Sequence, residues 1–112
     1  MPYTRVIIDT ARINDWDSFH TIFAEAFGFP GFYGRNMDAW IDCLTSLDTP
    51  EDALSTIHAP PAGVVVLALT HMRDLAIRCP DIYSALVECS AFVNYRRIEA
   101  GNEPVLCLSS AQ

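Results

Sequence analysis

The sequence predicts a single small α/β domain, a three-stranded parallel sheet packed with about four helices, and three observations lead there. Runs rich in strand-forming residues occur at residues 3–10, 62–69 and 105–108. Between them the apolar positions recur at helical spacing rather than in alternation. Strands separated by helices pair in parallel through right-handed crossovers. A length of 112 residues suits one core and leaves little room for a second, so one domain over residues 1–112 follows.

Residues 3–10 hold Val6, Ile7 and Ile8 together and read as a buried strand ended by Asp9 and Thr10. Asn14 then offers an N-cap, with Trp16, Phe19, Phe23, Ala26 and Phe27 forming the stripe of a first helix. Gly28, Pro30, Gly31 and Gly34 break it, leaving residues 28–35 as a loop that carries Phe32 and Tyr33. Asn36 caps a second helix, in which Met37, Trp40, Ile41, Leu44 and Leu47 make a buried stripe.

The stretch after Pro50 has room for one helical turn, at residues 51–57, before the three consecutive valines of 62–69. That run has the composition of a central strand covered on both faces. From Thr70 the pattern is helical, is interrupted at Pro80, and resumes at Asp81 with Ile82, Leu86, Cys89 and Val93. Gly101 and Asn102 stop it, and residues 105–108 make a last short strand. The pattern does not set the order of strands in the sheet.

Fourteen acidic residues against seven Lys and Arg give a formal net charge of -7. Such a field repels a phosphate backbone, which argues against nucleic acid as a direct ligand, and draws a basic protein in a way that salt weakens. Cys43, Cys79, Cys89 and Cys107 form no close pair of the zinc or thioredoxin-like kind and read as buried free thiols in a reducing compartment. No metal or nucleotide motif appears, so no cofactor is expected. Met1 to Arg5 holds no apolar stretch of signal-peptide length, and residues 62–69 fall far short of the roughly 20 that span a bilayer. A soluble, cytoplasmic protein without a membrane partner is the expectation.

The chemistry concentrates in residues 32–47, FYGRNMDAWIDCLTSL. With Met37 at zero on a wheel of about 100° per residue, the apolar stripe lies between about 280° and 40°, and Asp38, Asp42 and Thr45 at about 80° to 140°. The helix therefore packs with one face and displays carboxylates on another. Asp38 sits in the first turn, where the helix dipole favours it, but Asp42 has a like charge four residues before it. That spacing costs roughly 0.2 to 0.5 kcal/mol in an isolated helix.

An aromatic pair, a glycine, an Asn cap and two aspartates four apart, followed by Cys, Leu and Thr, resemble the barstar family. Phe32, Tyr33, Gly34, Asn36, Asp38, Ala39, Asp42, Cys43, Leu44 and Thr45 supply that order and spacing. The resemblance implies a barstar-like domain that inhibits a basic, barnase-like extracellular ribonuclease, a monomer when free and a 1:1 complex with the enzyme. It implies that Asp42 occupies the enzyme's phosphate site with Asp38 beside it, that Tyr33 packs at the rim, and that Asn36 fixes the helix start. Phe32, Gly34, Ile41, Thr45 and Ser46 complete the implied face. The chain departs from the family at Ile41 and Leu47, where tryptophans are expected, and at Arg96, where an acidic contact is expected. Glu99 and Glu103 lie near enough in sequence to replace that charge.

Two other classes compete. An enzyme would use Asp38 and Asp42 as an acid and base pair, but both are expected on an open helix face, and His20, His58 and His71 have no nucleophile at a recognisable spacing. A barstar-fold interaction module with a partner that is not a ribonuclease is the alternative, because fold does not fix function. Trp16, Trp40 and the phenylalanines are read as core.

Overall fold

The computed structural model describes residues 1–111. Three strands, β1 (Tyr3–Asp9), β2 (Val64–Thr70) and β3 (Leu106–Ala111), form one parallel sheet in the order β1-β2-β3. Four helices connect them: α1 (Trp16–Phe27), α2 (Met37–Thr45), α3 (Met72–Arg78) and α4 (Pro80–Glu99). The expected class, strand number and helix number are all present.

Register explains where the core lies. Val6 pairs with Leu67 and Ile8 with Leu69, and these four side chains share one face, which is buried. Phe19, Phe23 and Phe27 of α1, Trp40 and Leu44 of α2, and Leu86 and Val93 of α4 belong to the same core. The other face differs from the expectation for residues 3–10 and 62–69. Tyr3 and Ile7 are about 60% exposed, at 61% and 60%, and Val64 and Val66 are only half-buried. A run of β-branched residues satisfies a strand whichever side it faces, so composition alone could not reveal that the outer face is largely open, with Ala68 its buried exception.

Local corrections have equally plain causes. Helix α1 is capped by Asp15 rather than Asn14: Asp15 Oδ1 accepts from Ser18 N at 2.8 Å, and Ser18 Oγ accepts from Asp15 N at 3.0 Å. Its C-cap, Gly28, has φ +67°, and a Cβ there would overlap the Thr56 side chain. The helical turn expected at residues 51–57 is a short 3-10 turn, Pro50–Asp52, ended by Ala53 at φ +55°. Its irregular surroundings are stitched to the body by Thr56 N donating to Phe27 O at 2.8 Å and Ala59 N donating to Leu47 O at 2.9 Å. The sheet run starts at Val64 because residues 61–62 form a turn, and β3 runs past Leu108 to Ala111. Asn94 guides the chain into β3, its Oδ1 accepting from Val105 N and Leu106 N and its Nδ2 donating to Leu106 O.

The four cysteines are free thiols. Only Cys43 is buried; Cys79 and Cys89 are half-buried and Cys107, on the open face of β3, is exposed. The expectation of uniformly buried thiols fails because Cys107 falls on the uncovered side of the sheet. Among the described residues, no helix is long and apolar enough to cross a membrane.

Candidate protein-binding face

Helix α2 is positioned from both ends. At its start Asn36 Oδ1 accepts from Ala39 N at 2.8 Å, and Asn36 Nδ2 reaches back to Gly34 O at 3.3 Å. This is the capping role expected of Asn36. Trp40, fully buried, anchors the inward face against Phe19 and Phe23, with ring centroids 6.2 and 5.6 Å away. At its end Arg97 Nη1 donates to Thr45 O at 2.8 Å, satisfying a carbonyl that the helix itself leaves open.

Helix α4 lies alongside. Asp42 of α2 meets Arg96, and just beyond the helix end Asp48 meets Arg97. Asp38 and Asp42 are both exposed, on the outer face expected for them. Asp42 is not free, however: Arg96 Nη1 donates to its Oδ1 at 2.8 Å. Both partners remain accessible, with 42% of the Arg96 side chain and 61% of the Asp42 side chain exposed. Below them Thr45, Ser46, Tyr95, Arg96 and Glu99 line an open cleft of about 470 Å³.

The remaining candidate residues divide. Phe32 stands out at 78% exposed. Tyr33 is half-buried, its ring 4.7 Å from Phe29 and its hydroxyl 2.6 Å from Nδ1 of buried His20. Burial holds His20 below the usual imidazole range, with the Arg35 cation adding to the effect, and pushes the Tyr33 hydroxyl up. Tyr33 therefore braces the loop. Gly34 is exposed at the turn into α2. Ile41, placed on the candidate face by resemblance, is 7% exposed and belongs to the core, because it falls on the same stripe as Trp40 and Leu44. Thr45 and Ser46 are half-buried at the helix end, and the Thr45 hydroxyl donates to Ile41 O at 2.6 Å.

Two contacts escaped sequence reasoning. Arg35, at φ +52°, swings its guanidinium back onto α1, where Nη2 donates to Asp17 O, Asp17 Oδ1 and Thr21 Oγ1. Arg96 meets Asp42 across 54 positions of sequence. The one available signal was that Arg96 stands where the family pattern has an acid. The Cys43 thiol, next to this site in sequence, is pushed up to about 11 by burial and by the Asp42 charge. Among the described residues no group of three His, Cys, Asp or Glu side chains could hold a metal ion.

Fold and helix face together define a small α/β domain that displays charged side chains on an exposed helix face. The chain belongs to the barstar family: the family model described as Barstar (barnase inhibitor) matches residues 3–108, nearly the whole chain. Proteins of this family are inhibitors, not enzymes. Comparison with curated proteins finds no match.

Proposed function

We infer that this protein inhibits a basic, barnase-like ribonuclease by laying the α2 face over its active site in a 1:1 complex. The observation that carries this reading is the pair of exposed carboxylates, Asp38 and Asp42, on a helix capped at one end and clamped at the other. An enzyme that binds RNA phosphate holds cations in its active site, and a carboxylate on a rigid helix competes for them through charge-assisted hydrogen bonds. Asp42 is the group that enters the phosphate site, Asp38 supports it, and Phe32, Tyr33 and Gly34 contact the rim with Thr45 and Ser46 at the far end. The net charge of -7 speeds encounter with such a partner. The protein acts in the cytoplasm of the producing cell, before the enzyme is exported.

The test is an inhibition titration of a barnase-type ribonuclease with wild-type protein beside Asp42→Ala. Stoichiometric inhibition by the wild type is expected, with affinity falling at least about 100-fold in the variant, the loss of one member of a desolvated charge pair. Equal inhibition by both proteins would remove Asp42 from the mechanism. The internal engagement of Asp42 by Arg96 favours a second reading, an interaction module whose partner is not a ribonuclease and does not depend on Asp42.

A further inference from the structure

We propose that Arg96 is a built-in competitor for Asp42, and that it selects a partner carrying a carboxylate or other acceptor beside its phosphate-binding cation. This rests on the inhibitor reading and adds a specificity rule to it. In the free protein Arg96 Nη1 holds Asp42 Oδ1 at 2.8 Å, the position a partner's guanidinium or ammonium would take. That pair is open to solvent on both sides, so it is weak enough to open.

The released guanidinium has somewhere to go. Glu99, one turn further along α4, and Asp52 line the same cleft as Arg96, whereas Asp48 is already held by both terminal nitrogens of Arg97. Arg96 thus meets Asp42 on the candidate face and shares the cleft with Glu99 and Asp52. With a uniformly cationic enzyme rim, docking must break the Asp42 pair and drive Arg96 off the face into the cleft. A rim with an acceptor opposite Arg96 removes both penalties, because the partner's cation takes Asp42 while Arg96 takes the partner's acceptor.

Two measurements test this. Urea unfolding of wild type, Asp42→Ala, Arg96→Ala and the double variant should show coupling of about two- to fivefold in the folding constant at low salt, vanishing in 1 M salt. Inhibition of a barnase-type basic ribonuclease should then tighten about two- to fivefold in Arg96→Ala and tenfold or more in Arg96→Glu, with a steeper salt dependence of association. Absence of coupling in the unfolding cycle overturns the proposal. If Asp42→Ala abolishes inhibition while both Arg96 variants inhibit no better than wild type, the proposal falls and the inhibitor reading stands. If neither the wild type nor any variant inhibits, both fall together.

Discussion

Arg97 holds Asp48 in a two-pronged grip, Nη1 donating to Oδ1 at 2.9 Å and Nη2 to Oδ2 at 2.8 Å. The same guanidinium donates to Thr45 O and, through Nε, to Glu103 O, so one buried side chain on α4 ties down the end of α2 and the approach to β3. Replacing it with Met keeps the apolar stem and removes every one of these bonds. Arg97→Met should cost about 2 to 4 kcal/mol, less than the removal of one member of a fully buried pair because Asp48 can still hydrate. Urea denaturation at pH 7 measures it, and a loss below about 1 kcal/mol would show the grip to be incidental.

Acid should loosen the same grip. The hydrogen bonds from Arg97 hold the Asp48 carboxyl below the usual carboxylate range, and the N–H of Ala11 and of Ser18 do likewise for Asp9 and Asp15. The unfolded chain, titrating near about 3.9, binds more protons than the folded one in this region. The stabilisation is therefore fully present above about pH 5 and is lost as pH falls through the lowered folded-state values. Melting curves from pH 7 to pH 2.5 should show wild type losing stability more steeply with acid than Asp48→Asn.

Gly28 is a position where a single methyl group should be felt. Its φ of +67° disfavours any L side chain, and the added Cβ would press on Thr56, whose Oγ1 donates to Phe27 O at 3.2 Å. Gly28→Ala should destabilise by about 2 to 4 kcal/mol, from backbone strain and overpacking together. Pairing it with Thr56→Ala should recover part of the loss in chemical denaturation, whereas simple addition of the two costs would show that the side chain was not the obstacle.

Thiol labelling should rank the cysteines by position. At pH 8 a thiol reagent should modify exposed Cys107 first and leave Cys43 untouched in the folded protein. With its titration pushed up to about 11, Cys43 would be thiolate in roughly one molecule per thousand at that pH. Peptide mapping after a short pulse reads the order, and early labelling of Cys43 would mean that α2 opens readily.

What the sequence disclosed follows the reach of its signals. The stripe through Trp40, Leu44 and Leu47 repeats every turn, so the second helix and its inward face could be read directly, and Asn36 marked its start. Val64, Val65 and Val66 announced a strand without saying which sides were covered, because adjacent valines look alike whether they face Leu67's neighbours or water. Strand order was silent for the same reason. On the candidate face, Asp38 and Asp42 were legible as exposed carboxylates. Their relation to Arg96 was not, since it depends on how α4 lies against α2, a packing that no local period encodes. Ile41 shows the opposite failure, where likeness to a family outweighed the helical period that placed it inside.

Because Asn36 fixes the first turn of α2 and Arg97 the last, the helix has no loose end near its carboxylates. In the proposed complex, a partner meeting that face would surrender little chain freedom in ordering it. Once seated, the complex should separate slowly, since the helix cannot peel away one turn at a time and must leave as a rigid plate.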